Sequence, residues 1–365
     1  MILLLHNRYR VPGGEERAVQ DLAWLIDSEL GEGVEVLERS SDALSKAGAA
    51  KALLAGGADA DEVGAAVRRT GARVVHAHNL NPAFGWRALA AARAAGARTV
   101  LHLHNYRLVC ANGICFTRGR DCTRCHARNT APGVALNCRG GSRAEAAVYG
   151  AALAGWQSRV AAQVDRFVVP SAFALERLRS LGAPMTAATV LASAQRDIAA
   201  ASPAAGGELV LFAGRVAREK GVFDAVAACR AAGLRLVVAG DGPALEELRR
   251  LGVEAPGGLP ADELAALRRR AAVAIVPSRY EEILPLAALE AMAAGLPVVA
   301  TRSGGLTELV PEEGLAPVGD VPALAARLTA LWRDADAGER ALARVRARCA
   351  PAVVAQQLRA VYDDY

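Results

Sequence analysis

Short apolar runs recur along the chain, each followed by a segment with helical spacing of its apolar residues. In the first half the runs are "MILLLH", "VEVLE", "ARVVHAH", "RTVLHLH" and "RFVVPS". They predict strands, with helices over about 14–30, 61–70, 82–95, 143–163 and 172–181 between and after them. A small, polar, irregular stretch over 193–207 follows and reads as a linker. A second alternating set then begins: "LVLFAGR", "LRLVVAG", "VAIVPS" and "LPVVAT", each followed by a helical pattern. Strands alternating with helices imply crossover connections and parallel sheets. The expected architecture is α/β, with two Rossmann-like, doubly wound domains facing a cleft. The expected bounds are 1–192, with an irregular cysteine-bearing loop at 105–142, and 208–345. A terminal helix, 346–365, is expected to pack back on the first domain.

Ligands of such sheets bind outside the carboxyl ends of the strands. The polar clusters "HNRYRVPGGEE", "HNLNP", "HNYR", "GRVAREKG", "GDGP", "PSRYEE" and "TRSGG" all lie just beyond a predicted strand. That coincidence points to one shared site.

Composition narrows the classes. The chain has 365 residues, enough for about two domains. It is 53% hydrophobic but only 4% aromatic, which describes an alanine-rich globular protein and excludes disorder. No apolar run approaches the roughly 18 residues of a membrane span. "MILLL" is too short for a signal-peptide core and reads as a buried first strand. A reducing cytoplasm is therefore the expected location, with the seven cysteines as thiols or metal ligands. The net charge of +5 is dispersed and not striped with aromatics, so a nucleic-acid partner is not expected. It suits an anionic small ligand or docking at an anionic membrane surface.

In "LFAGRVAREKGVFDAV" a strand ends at glycine, and Arg215 and Lys220 follow before a helix. Two cations beside a helix N-terminus suit a diphosphate; a solvated basic turn is the alternative. In "PSRYEEILPLAALEAM" Pro285 suits a first helical turn. Glu282 then lies in the loop and Glu290 inside the helix, so the two acids do not share a face. Ile283, Leu284 and Leu286 can present backbone N–H groups to an anion there. A glutamate beside a phosphate site is electrostatically awkward unless it binds hydroxyls, as of a sugar; a solvated acidic turn is the alternative. "TRSGGLTELV" offers Gly304 and Gly305 for close backbone approach to a ligand.

In their order, "GRVAREKG", "GDGP", "VPSRYEEILPLAALEAMAAGLPVVAT" and "GGLTELV" resemble the donor-binding half of GT-B glycosyltransferases of family four, a retaining group. "HNRYRVPGGEERAVQDLAWLI", "VVHAHN" and "VPSAFALERL" are similar to that family's N-terminal, acceptor-side half. The resemblance implies transfer of a sugar from a nucleoside-diphosphate sugar to an acceptor hydroxyl. Arg215 and Lys220 would hold the donor diphosphate, Glu282 would meet the transferred sugar, and Glu290 the ribose. Ile283 and Leu284 would lie at the donor, His104 would face the sugar, and Gly13 and Gly14 would form the loop near donor and acceptor. The leaving phosphate would itself deprotonate the acceptor, so no cofactor is required for catalysis. Pro285 departs from the glycine many members carry. A nucleotide-dependent Rossmann oxidoreductase and a non-catalytic zinc-loop binding protein are the rival readings.

Cys110, Cys115, Cys122, Cys125 and Cys138 crowd one short stretch with a single Cys-X-X-Cys. The spacing of Cys110, Cys122, Cys125 and Cys138 permits a four-thiolate structural zinc; free thiols or a redox pair are the alternatives. Cys115 is not typical of the similar insertion in a subset of these transferases. Cys229 and Cys349 read as small buried hydrophobes.

Overall fold

A computed structural model of the chain describes residues 1–9, 13–139 and 141–363. The chain divides into two compact units. The first comprises Met1–Thr117, Asp121–Ala194 and Pro351–Tyr365, and the second Arg118–Arg120 and Gln195–Ala350.

The first unit is built on β1 (Ile2–Arg8), β2 (Val34–Ser40), β3 (Val74–Ala77) and β4 (Arg98–His102). The short β5 (Phe116–Thr117) and β6 (Arg120–Asp121) pair with each other, and β7 (Arg166–Val169) and β8 (Ala188–Val190) complete the main sheet. Its order is β2-β1-β3-β4-β7-β8, and every pairing is parallel. β1, β3 and β4 are buried on both faces, as parallel strands between helical layers must be. Ile2, Leu4, Leu22, Leu25, Val74, Val100 and Val168 share one core. The terminal helix Pro351–Asp363 adds Val354, Leu358, Val361 and Tyr362 to it.

The second unit runs β9 (Leu209–Ala213), β10 (Leu236–Ala239), β11 (Glu254–Gly257), β12 (Ala271–Val276), β13 (Val298–Thr301) and β14 (Leu315–Ala316). The order is β11-β10-β9-β12-β13-β14, all parallel. This is the doubly wound order of a mononucleotide-binding pair, and the strand order reverses between β9 and β12. The loops leaving those two strands flank the crevice where such sheets take ligands. They are the loops of Arg215, Lys220 and Glu282.

Two expected boundaries move. The first helix is α-helical over Gly14–Leu25 and widens into a π turn at Ile26–Leu30. The helix after β12 covers Leu286–Ala293, with Pro285 as its cap and not its first residue. Lys46–Ala55 forms an additional helix whose alanine- and lysine-rich sequence shows little apolar periodicity.

Candidate active site

In the second unit the loops after β9 and β12 meet. After β9, Gly214–Ala217 lead into a 3₁₀ turn at Arg218–Lys220, and the helix Val222–Ala232 begins after Gly221. Lys220 Nζ lies 2.7 Å from Glu282 Oε2, with the glutamate side chain 6% and the lysine side chain 23% exposed. Glu282 also accepts from the Ser278 hydroxyl. Ser278 is itself held by Thr301, whose hydroxyl donates 2.6 Å to the Ser278 carbonyl. Burial works against charge on Lys220, but Glu282 and the nearby Tyr280 outweigh it and hold the ammonium pKa above its usual value. The lysine stands 5.2 Å from the Tyr280 ring centroid.

Arg215 is half exposed and pairs with Glu219, four residues on, not with Glu282. Glu290 lies on the helix after Pro285 and pairs with Arg268. Ile283 is buried and Leu284 half-buried ahead of that helix. The structure therefore unites Lys220 with Glu282 and gives Arg215 and Glu290 separate partners. Exposed pairs such as Arg215–Glu219 contribute about 0–1 kcal/mol, so a ligand can redirect that guanidinium cheaply.

Gly304 and Gly305 serve a different neighbour from the expected one. A Cβ on Gly304 would stand 2.3 Å from the Glu282 carbonyl oxygen, and one on Gly305 2.3 Å from that of Ile283. Gly304 has φ +56°, and the Gly305 N–H donates 2.7 Å to the Glu282 carbonyl. The close approach is to the backbone that carries Glu282. "GDGP" is likewise structural, since a Cβ on Gly240 would meet the Gly214 carbonyl at 1.9 Å, which seats the loop of Arg215.

The first unit holds a second polar cluster. β4 ends at His102, so His104 lies two residues past the strand and not at its end. It stacks on His102, with centroids 4.2 Å apart, and shares a 2.8 Å hydrogen bond with His78 Nδ1. His76 and His78, and His102 and His104, alternate along β3 and β4 and their extensions, so all four point to one face. His76 is joined to the Tyr362 hydroxyl at 2.8 Å. Burial first, then the neighbouring rings, hold His78, His102 and His104 well below the usual imidazole range and His76 at about 3. The stack is thus neutral. Ring nitrogens of His76, His78 and His102 lie within 4.8 Å of one another. The His76 and His78 planes are only 10° apart and those of His78 and His102 30°. Near-parallel rings aim their in-plane lone pairs side by side, so the trio does not converge on one ion.

Tyr9, Glu15, Glu16 and Arg107 were not singled out from the sequence. The Tyr9 hydroxyl donates 3.0 Å to Glu15 and accepts from Arg107 at 2.6 Å. Burial pushes Glu15 up to about 7, against the pull of His6 and Arg107. Burial also opposes charge on Glu16, but His6 and the N–H groups of Tyr9 and Gly13 hold it down at about 2. Gly13 caps the helix that begins at Gly14, its N–H donating 2.7 Å to Glu16. Arg10, Val11 and Pro12 of the same expected loop lie outside the described residues. The Glu15–Glu16 pair at a helix start was the available signal.

In the loop after β4, Cys110, Cys115, Cys122, Cys125 and Cys138 all line one small cavity, and none forms a disulfide. Cys115, outside the four expected ligands, lines the cavity beside them. Cys229 and Cys349 are buried in the second unit.

The comparisons agree with this architecture. Residues 27–194 match the family model of the glycosyl transferase 4-like domain, and residues 207–334 match that of glycosyl transferases group 1. The chain belongs to the GT-B glycosyltransferases of family four. The glycogen synthase of Mycobacterium tuberculosis (strain H37Rv) is 36% identical over 172 residues, which cover 43% of this chain and 41% of that protein. The sulfoquinovosyl transferase SQD2 of Arabidopsis thaliana is 37% identical over 147 residues, covering 36% and 28%. The chain spans less than half the length of these curated relatives. In fold it is similar to Anabaena Alr3699/HepE, solved in complex with UDP, with a TM-score of 0.64 at 17% identity and 100% of both chains covered. Among the described residues no helix is long and apolar enough to cross a membrane.

Proposed function

We propose that this protein is a retaining glycosyltransferase that moves a sugar from a nucleoside-diphosphate sugar to an acceptor hydroxyl. The observation that carries the reading is the Lys220–Glu282 pair, set by the loops of β9 and β12 at the point where the strand order reverses. An ammonium has three donors, so Lys220 can keep Glu282 while turning another N–H to a diphosphate oxygen. Arg215 leaves its exposed partner to join it. Together they stabilise the charge that develops on the leaving diphosphate without reorganising. Glu282, held by Ser278 and Lys220, accepts from a hydroxyl of the transferred sugar, and Glu290 exchanges Arg268 for the ribose. Ile283 and Leu284 lie at the phosphates, and in the first unit Gly13, Gly14 and His104 are the residues the family resemblance assigns to substrate.

In the reaction the bond from the anomeric carbon to the diphosphate oxygen breaks and a bond to the acceptor oxygen forms. The acceptor proton passes to the leaving phosphate, and no cofactor is required. The Anabaena neighbour's UDP favours a uridine donor as the first to test. We place the protein in the cytoplasm, where nucleotide sugars are available, with its mild positive charge suited to an anionic membrane surface.

A thermal-shift panel of nucleotide sugars should single out one donor. With it, Lys220→Ala should lower turnover by about 10²–10³-fold, the loss typical of one transition-state donor. NMR of the first-formed product should show the donor's anomeric configuration. Unchanged turnover in both Lys220→Ala and Glu282→Ala would refute the site, and an inverted product would refute retention.

A further inference from the structure

We propose that the five-cysteine cavity binds one thiophilic divalent ion, zinc in the first instance, through Cys110, Cys122, Cys125 and Cys138. This inference does not depend on the reading of the transfer reaction.

The sulfurs come from separate pieces of chain. Cys110 and Cys115 bracket a turn, Cys122 and Cys125 follow β6, and Cys138 follows the short helix Ala131–Ala135. All five nonetheless face one cavity, otherwise lined mainly by Ala111, Phe116, Pro132 and Leu136. Cys110 and Cys125 are 8% exposed and Cys115 1%. Two of the thiols already meet polar groups of the same loop: Cys110 Sγ lies 3.0 Å from Asn112 Oδ1 and Cys138 Sγ 3.8 Å from the Thr117 hydroxyl. Polar groups beside a sulfur are the outer contacts that orient a metal ligand.

The donor set chooses the metal. The nearby carboxylate Asp121 is taken by Arg177 at 2.6 and 2.7 Å, so the ionisable groups lining the cavity are all sulfur, with Asn112 and Thr117 as its neutral polar lining. Four thiolates select zinc or another soft ion over magnesium, calcium or manganese. The surroundings explain why an ion is useful. Between β4 and the helix Ala131–Ala135 regular structure is limited to the two-residue strands β5 and β6. So irregular a segment has little core of its own, and metal binding supplies folding free energy directly. Gly133 ties the loop together: a Cβ there would stand 2.3 Å from that of Ala111 and 3.4 Å from Cys125 Sγ. Among the described residues the three histidines are the one group whose ligand atoms already lie within 4.8 Å. The thiols therefore surround the cavity without having closed on a point. Tetrahedral coordination at about 2.3 Å needs sulfurs about 3.8 Å apart, so binding would draw the sulfurs together around the ion.

The test uses the full chain purified under reducing conditions. Elemental analysis should find about one zinc per chain, and cobalt exchange should give sulfur-to-cobalt charge-transfer absorption. Cys122→Ser with Cys125→Ser should abolish both signals, while His78→Ala and His102→Ala should leave them intact. Cys115→Ser, at the fifth cysteine, should leave them intact as well. Because the cysteine variants could misfold, unaltered protein is also treated with chelator; it should lose thermal stability and regain it when zinc is added back. A metal-free protein with unchanged stability, or metal retained in the double cysteine variant, overturns the site. Complete loss of metal in Cys115→Ser overturns the choice of the four ligands.

Discussion

Replacing Lys220 by methionine removes the cation from Glu282 while keeping most of the apolar stem. The glutamate side chain is 6% exposed, and Ser278 remains its nearest polar partner. At 2.7 Å and an effective dielectric constant of about 20, the attraction lost is about 6 kcal/mol before desolvation is subtracted. Removing one member of a buried pair typically costs about 3–5 kcal/mol. Urea unfolding of Lys220→Met against the unaltered protein at pH 7 should therefore show a loss of about 3–5 kcal/mol. The transition of the second unit is fitted separately, since a two-unit chain need not unfold in one step. The double variant Lys220→Met with Glu282→Gln should recover to within about 1 kcal/mol, because no buried charge is left unpaired. A loss below about 1 kcal/mol, or a double variant no more stable than Lys220→Met, would show that the pair is not what holds this loop.

Two further outcomes follow from the geometry. Gly304→Ala should cost about 1–2 kcal/mol for the left-handed backbone alone and shift the Glu282 loop, lowering kcat about 100-fold; Gly233→Ala, with φ +67° and open space around it, should show the strain in Tm with kcat unchanged. Glu15, pushed up to about 7, stabilises most below about pH 4.5 and loses that contribution as pH rises through 7, so Glu15→Gln should gain Tm over the unaltered protein across that window. Glu16, held down at about 2, behaves oppositely: Glu16→Gln should be destabilised above about pH 4.5, with the difference vanishing as pH falls towards 2. Tm profiles of the two variants with the same slope would refute both assignments.

Much of the fold was legible because parallel strands are short, apolar and separated by helical spacing. β1, β3, β9 and β12 stand where their runs of Leu, Val and Ile do. β8, β11 and β14 escaped notice because each is two to four residues long at or near a sheet edge, where sequence carries little periodicity. Lys220 and Glu282 were legible as residues, and their direct pairing was not. Sixty-two positions separate them, and only the adjacency of β9 and β12 closes that gap. Gly304 and Gly305 looked like ligand-facing glycines because a close approach leaves the same mark whether the neighbour is a ligand or the chain itself. The histidine stack had a signal in "HAH" and "HLH", whose period of two puts each pair on one face. What was missing was the register, His78 beside His102, that turns two pairs into a stack.

The pairing of Lys220 with Glu282 also answers how an acid could stand at the proposed anion site. An isolated carboxylate there would repel a diphosphate, and an isolated buried lysine would lose its proton to desolvation. Held 2.7 Å away, the carboxylate instead keeps the ammonium charged against burial. On the proposed reading, a diphosphate would take the spare ammonium donors and a sugar hydroxyl would give Glu282 a neutral hydrogen bond. The first unit follows a different logic. Its imidazoles are kept neutral by burial and by one another, and Glu15 titrates near neutrality. Such a face suits an uncharged group more than a phosphate, whereas the ionised lysine of the second unit suits an anion.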